Sequence, residues 1–184
     1  MLSTVRLTPG GGAGTKITLN LNQRSVLDTS LFKFVTIASG NSNYQNLLNI
    51  DVSDNSKIQT ITELTGSTLL NVKNINISNS GVNYLNVPQT TKTLKAQYVT
   101  LTSLTFDTGC LVESIDMSSE NVSKVTIVED PVSFSDLPNL SSLNLTNCIF
   151  RGNVTFANLP SLEDIIITNT QFQGGVTFGN GIVI

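Results

Sequence analysis

The stretch LPNLSSLNLTNCIFRGNVTF, Leu137–Phe156, is followed two residues later by LPSLEDIIITNTQFQGGVTF, Leu159–Phe178. At this 22-residue offset, glycine falls on glycine and apolar residues fall on apolar residues. The matched pairs are Leu140/Leu162, Leu143/Ile165, Leu145/Ile167, Phe150/Phe172, Gly152/Gly174, Val154/Val176 and Phe156/Phe178. A fixed period of this length is typical of solenoids, because one coil has an apolar face that only a neighbouring coil can bury.

Each period contains two segments in which apolar and polar residues alternate, as they do in half-buried strands. They are SLNL (142–145) and NVTF (153–156) in the first copy. Asn147, Cys148, Arg151, Gly152 and Asn158 are typical of the corners between strands. At Gly152 and at its repeat, Gly174, we expect a positive φ or a close backbone approach.

Apolar pairs two residues apart continue upstream at spacings mostly near half a repeat. They are Ile50/Val52, Ile75/Ile77, Leu85/Val87, Leu104/Phe106, Ile115/Met117, Val125/Ile127 and Val132/Phe134. The two half-repeats look alike, so the strand register of residues 85–134 stays open. We predict a mainly β solenoid of roughly six stacked coils over residues 47–184.

The repeat resembles the leucine-rich repeat family, in a degenerate form of bacterial or phage type. The family pattern L-x-x-L-x-L-x-x-(N or C)-x-L is matched by Leu140, Leu143, Leu145, Cys148 and Phe150. The next copy has Leu162, Ile165, Ile167, Thr170 and Phe172, with Thr170 departing from the pattern. Weaker copies begin at Leu47 and Val72. The resemblance implies binding on a concave sheet and names no ligand. A right-handed β-helix is the alternative architecture.

Residues 1–46 do not repeat. Lys16–Leu21 and Leu31–Ala38 are predicted strands, and Thr8–Thr15 is a glycine-rich loop. That loop lacks the Gly-Lys-Ser/Thr succession with which a P-loop holds phosphate, so we predict no nucleotide site. The segment either caps the first coil or docks the solenoid to another protein.

The other end has no polar cap. Ile182, Val183 and Ile184 add apolar surface next to the last coil. One interpretation is that these three residues mediate self-association into a dimer or trimer. The other is that they form a final strand under the last coil.

The composition excludes several classes of function. Charged residues make up 12% of the chain, the net charge is −3 and there is no histidine. No basic face for nucleic acid and no polybasic membrane patch is expected. No apolar stretch approaches membrane-spanning length, and the N-terminus has no export signal, so synthesis in the cytoplasm is expected. We predict no cofactor.

The acidic residues are the only general acid/base candidates, and solvation is the simpler interpretation for them. They are Asp51, Asp107, Glu113, Asp116, Glu163 and Asp164. Asp51, Asp54 and Asn55 come nearest to a calcium loop but lack its glycine and distal glutamate. We therefore predict no catalytic residue and no metal site.

The outward positions of the first strand of each coil form a candidate binding strip. Its members are Asp51, Asn76, Asp116, Asn144 and Ile166. Such a ladder could hydrogen-bond a sugar or a peptide, or could be a solvated face. Asn76 and Asn144 also lie in Asn-x-Ser/Thr sequons, which we attribute to composition.

Cys110 and Cys148 could pair or stay free, and small buried filler is the simpler interpretation.

The functional hypothesis is a non-enzymatic structural or adhesive protein. Asn, Thr and Ser supply 64 of the 184 residues, which suits a surface exposed outside a cell. Without an export signal, the favoured setting is an accessory virion component, such as a phage head or tail fibre or decoration. A bacterial cell-surface adhesin that binds protein or glycan is the alternative, and a polysaccharide-cleaving β-helix is a further one. The expected partners are other virion or surface proteins, further copies of the chain and a host glycan.

Overall fold

The computed structural model describes residues 17–20, 47–54, 72–179 and 182, which form strands and turns without a helix. The strands are β1 Ile17–Asn20, β2 Leu47–Asp51, β3 Asn74–Asn76, β4 Tyr84–Val87, β5 Thr93–Lys95, β6 Thr100–Leu101, β7 Ser103–Phe106, β8 Ser114–Asp116, β9 Thr126–Val128, β10 Val132–Ser135, β11 Ser142–Asn144, β12 Cys148–Phe150, β13 Val154–Ala157, β14 Asp164–Ile166, β15 Gln171–Phe172 and β16 Val176–Phe178.

All strand pairings among the described residues are parallel and join one coil to the next. The first sheet has seven strands in the order β1-β2-β3-β5-β8-β11-β14. The second sheet has the order β15-β12-β9-β6. The third is split into β4-β7 and β10-β13-β16. The chain is thus a β-solenoid of about five turns, which confirms the predicted fold class.

The two quoted stretches lie directly on top of each other. Leu143 pairs with Ile165, Val154 with Val176 and Phe156 with Phe178, each at the 22-residue offset of the sequence repeat. Leu143, Val154 and Phe156 are almost completely buried. The repeat therefore exists because the second coil covers the apolar face of the first.

The coils have three strands where the sequence predicts two. Cys148, assigned to a corner, begins strand β12, whereas Asn147, also predicted at a corner, is in the turn with a φ of +56°. The missed strands of the second sheet are only two or three residues long, too short to show an alternation in the sequence.

The structure fixes the register that the sequence leaves open at strand β9. Val125 and Ile127, the apolar pair seen in the sequence, are only partly buried, whereas Thr126 and Val128 are the buried residues of this strand. The Thr126 hydroxyl is satisfied inside, because it accepts a hydrogen bond from Tyr98 N at 2.8 Å and donates one to Ala96 O at 3.2 Å. A threonine with both partners can occupy an apolar position at little cost.

Gly152 and Gly174 lie where the backbones of adjacent coils approach each other closely. This is one of the two explanations that the sequence suggested for these glycines. A Cβ on Gly152 would lie 2.3 Å from Pro131 N, and a Cβ on Gly174 would lie 2.4 Å from Gly152 O. Neither glycine has a positive φ.

The core consists of stacked columns of inward side chains, including two ladders of phenylalanines. Phe134, Phe156 and Phe178 stack with ring centroids 5.5 and 5.3 Å apart, and Phe150 stacks on Phe172 at 5.5 Å. Edge-to-face contacts join the two ladders. The aromatic rings therefore bind the second and third sheets into one core.

The last coil is less covered than the others. Ile165, Phe172 and Val176 are only partly buried, although the residues above them in the same columns are fully buried. Phe178 is 41% exposed. Ile182 packs partly buried against the core, whereas Val183 and Ile184 lie outside the described residues.

The N-terminal segment contributes one described strand. Strand β1 lies within the predicted strand Lys16–Leu21 and pairs with β2 at the edge of the first sheet. The predicted strand Leu31–Ala38 lies outside the described residues. The capping or docking role of residues 1–46 stays a prediction.

Candidate functional site

The structure brings all five residues of the predicted strip into one column. The column runs in register along the first sheet as Asp51, Asn76, Lys95, Asp116, Asn144 and Ile166. Sequence reasoning missed Lys95. Its signal was the inward pair Leu94 and Ala96, which is hard to recognise because alanine is small.

Four members of this column hold the corner that follows the first sheet. Asp51, Asn76, Asp116 and Asn144 each accept a hydrogen bond through Oδ1 from the backbone N–H two residues on, at 3.0 to 3.1 Å. In every case that N–H belongs to a serine or threonine, and in three cases the hydroxyl also donates to the same oxygen. The recurring pattern Asp/Asn-apolar-Ser/Thr is therefore a turn motif.

This motif explains two of the sequons in structural terms. Asn76-Ile-Ser78 and Asn144-Leu-Thr146 are corners in which the asparagine oxygen is already engaged with the backbone. The remaining amide N–H groups and second carboxylate oxygens partly bond to each other, since Asn76 Nδ2 donates to Asp51 Oδ2 at 3.4 Å, and what is left is what the column offers to a ligand. Asp116 Oδ2 accepts from Gln97 Nε2 at 3.0 Å, so part of that capacity is used between coils.

One coil carries an insertion beside this column. Ser114 and Ser142, which pair in the first sheet, are 28 residues apart, whereas Ser142 and Asp164 are 22 apart. The extra residues lengthen the connection between β8 and β9, and we call residues 118–124 the insertion loop. Its Glu120 N donates to the Tyr98 hydroxyl at 3.2 Å, and its Lys124 Nζ lies 5.5 Å from the Tyr98 ring centroid. The loop thus reaches back over the preceding coils.

The insertion loop and the end of the first sheet enclose an open cleft of about 460 Å³, the corner cleft. Its described lining is polar, apart from one aromatic ring. The lining residues are Ser53, Asp54, Asn76, Ser78, Asn79, Lys95, Gln97, Tyr98, Asn121 and Lys124. A volume of this size is in the range of small-ligand sites.

A second cleft of about 370 Å³ lies where the third sheet is split between β7 and β10. Pro131 at its edge has no N–H to extend the ladder. Asp107 and Asp136 line it, but Asp107 accepts from Asn86 Nδ2 at 2.6 Å and Asp136 from Asn158 Nδ2 at 2.6 Å. These carboxylates tie adjacent coils together.

The candidate carboxylates do not form one surface. Asp51 and Asp116 share the first-sheet column, whereas Asp107 follows a strand of the third sheet. Glu113 is paired with Lys92 at 2.5 Å. Within the described ranges, no group of three or more His, Cys, Asp or Glu residues is arranged to hold a metal ion.

Both cysteines are buried and free. Burial raises the pKa of the Cys110 thiol to about 11 and that of Cys148 to about 12, from an ordinary value of 9.0. The thiol of Cys148 is 3.2 Å from Met117 O, so it sits in the core as a weak donor.

Comparison with known proteins gives no relative. No known protein family, no curated protein and no solved structure matches this chain. Among the residues that the structure describes, no helix is long and apolar enough to span a membrane. The resemblance to leucine-rich repeats therefore stays a prediction.

Proposed function

We propose that this protein is a non-enzymatic structural and binding module, an accessory virion component such as a fibre or decoration. Its solenoid presents the polar column of the first sheet to a ligand, and its last coil meets another copy of the chain. A bacterial cell-surface adhesin is the alternative setting for the same module.

The observation that carries the proposal is the column of outward residues along the first sheet. Five of its six members are polar and in parallel register, so they repeat at the strand spacing of about 4.8 Å. An extended ligand can contact several rungs at once, and contacts of this kind add up along a rigid scaffold.

Self-association is supported by the last coil. Its described residues leave the edges of β14, β15 and β16 without a further strand, next to partly exposed Ile165, Phe172 and Phe178. Natural sheets rarely leave such strand edges unpaired. Inside the solenoid, the equivalent surface of each coil is covered by the next coil. Ile166, apolar where the other rungs are polar, extends this surface outward. We infer that the end of a second copy covers it.

Separating virus particles from the cell envelope distinguishes the virion component from the cell-surface adhesin. Mass spectrometry of virus particles purified through a density gradient should detect the chain at a fixed ratio to the major particle protein. Recovery with the cell envelope and absence from particles would contradict the virion setting and support the adhesin.

The molar mass in solution tests self-association. Analytical ultracentrifugation should give a dimer or trimer for the native chain and a monomer for Phe178→Ser. The control is Val122→Ser, which removes another exposed apolar residue, one that is 71% exposed on the insertion loop. A monomeric native chain at high concentration would contradict the proposal.

A further inference from the structure

We propose that the corner cleft binds a carboxylated sugar, with the Lys95 ammonium as its counter-ion. The inference deepens the proposed function, because it rests on the first sheet being a binding surface and names the class of ligand.

The insertion loop forms one wall of the corner cleft, and hydrogen bonds hold part of this loop in place. The insertion loop closes on Ser119, which is 1% exposed and whose Oγ lies 2.8 Å from Asn121 O. Asn147 Nδ2 donates to Ser119 O, which ties the loop to the coil below. The six extra residues, fixed at Ser119 by these hydrogen bonds, form a wall that the other described coils lack.

Tyr98 departs from the local rule of the fold. The corner after the first sheet repeatedly uses a residue with positive φ, and at Asp54, Asn79, Asn147 and Asn169 that residue is one that tolerates it. Tyr98 adopts φ +57° at the same corner, where a bulky side chain is strained. Strain of this kind is kept where the side chain has a task, and here it places the ring in the cleft wall.

Lys95 supplies the charge. It stands in a column position where four other rungs carry Asp or Asn, it is exposed, and its ammonium has no hydrogen-bond or ion-pair partner among the described residues. The other charges of the lining are linked to each other, because Asn79 donates to Asp54 Oδ1 at 2.5 Å and accepts from Lys124 Nζ. Lys95 is thus the charge left for a ligand.

The lining favours a sugar acid over other anions. None of the described lining residues is aliphatic, so a peptide would find no apolar anchor pocket. Asp51 and Asp116 flank the cleft, and these carboxylates disfavour a doubly charged phosphate. Gln97 Nε2 already donates to Asp116 and Ser118, and Asn121 Oδ1 accepts from Ser123 N. Gln97 Oε1 and Asn121 Nδ2 thus provide an acceptor and a donor, the mixture that ring hydroxyls require.

Calorimetric titration of the full chain tests the inference. The probes are a galacturonic acid oligomer and sialyllactose, each compared with a neutral oligosaccharide of the same length. At least one acidic probe should bind saturably and more tightly than its neutral partner. Lys95→Gln should weaken that binding about tenfold, as loss of a charge-assisted hydrogen bond implies.

Two further variants separate the site from general effects. Lys92→Gln removes the same charge from a lysine that is paired with Glu113 outside the cleft lining, and it should leave affinity unchanged. Tyr98→Asn relieves the strain of a positive φ but removes the contacts of the ring with Glu120 and Lys124, so the melting temperature should change little while binding weakens.

Three results would overturn the inference: no binding of either acidic probe, equal binding of the neutral sugars, or equal losses in Lys92→Gln and Lys95→Gln. The mass spectrometry of virus particles and the ultracentrifugation do not depend on this cleft. Failure of the sugar-binding inference is therefore distinguishable from failure of the proposed function.

Discussion

Asparagine and aspartate turn the chain at the corners of the coils. Seven non-glycine residues in the described ranges have positive φ, and six of them are Asn or Asp. A short side chain that can hydrogen-bond the local backbone tolerates this conformation best. Asn79 and Asn158 each donate to an aspartate of the preceding coil, at 2.5 and 2.6 Å. The asparagine-rich composition is therefore a consequence of many corners stacked in register.

Alanine substitutions at three glycines should show whether a loss of stability comes from a steric clash with the adjacent coil or from the replacement of glycine itself. Gly152→Ala should lower the free energy of unfolding by about 1–3 kcal/mol, because its Cβ would meet the fixed backbone of the coil above. Gly174→Ala should cost less, since the last coil can shift outward. Gly175→Ala is the control, because its Cβ would meet only the Asn153 side chain at 3.3 Å. Urea unfolding gives the three values, and equal losses at Gly152 and Gly175 would contradict the assigned contacts.

The buried thiols should make stability fall in alkaline solution. Burial raises the pKa of Cys110 to about 11 and of Cys148 to about 12 in the folded chain. The folded state then holds protons that the unfolded state releases above about pH 9, so the contribution is fully present below pH 9 and is lost as pH rises towards 12. The melting temperature of Cys110→Ala/Cys148→Ala should depend less on pH between 9 and 11 than that of the native chain. An unchanged dependence would contradict this account.

Short strands become stable elements here because they pair with the equivalent strands of adjacent coils and pack an aromatic or aliphatic residue inward. Strand β12 has only three residues, yet it pairs with β9 and β15 and buries Phe150, which stacks on Phe172 and meets Phe134 of the other ladder edge to face. The third sheet is weaker, because it is split between β7 and β10. Phe106 and Phe134 bridge this split with ring centroids 5.9 Å apart.

Truncating the central ring of the longer ladder should be costly. Phe156→Ala removes a fully buried side chain stacked between Phe134 and Phe178, and the free energy of unfolding should fall by about 3–5 kcal/mol. Tyr84→Ala makes a similar truncation at a position that is 45% exposed, and it should cost less than about 1.5 kcal/mol. Chemical denaturation measures both, and a comparable loss for the two variants would argue against the ladder as a central part of the core.

The sequence was sufficient for strands with a clear alternation and a recognisable repeat. Leu143 and Ile165 were predictable partners because the 22-residue copy fixed their register. Strand β9 was not, since the buried position is a threonine that satisfies its hydroxyl internally. The strip of outward residues followed from the same periodicity. The corner cleft did not, because only the fold brings the insertion loop over Tyr98 and Lys95.

The whole molecule is a one-dimensional stack in which each coil depends on its neighbours. Parallel in-register pairing places equivalent residues one strand spacing apart, and one core cluster includes buried residues from Ile50 to Leu159. In such an array stability is approximately a sum of coil and interface terms, so the ends are the weakest points. The same geometry that creates the column of polar residues on the first sheet also leaves the last described coil partly exposed. Both parts of the proposed function therefore derive from the stacking.

The most direct test of this stacking is site-directed disulfide formation on the outer face of the third sheet. Ser133, Thr155 and Thr177 occupy successive rungs, so adjacent Cα atoms lie about 4.8 Å apart, within the range for a disulfide. The pairs Ser133→Cys/Thr155→Cys and Thr155→Cys/Thr177→Cys should each cross-link under mild oxidation, as peptide mass mapping would show. The control pair Ser133→Cys/Thr177→Cys spans two rungs, about 9.6 Å, and should stay reduced. Cross-linking of the control pair, or failure of both adjacent pairs, would contradict the stacked solenoid.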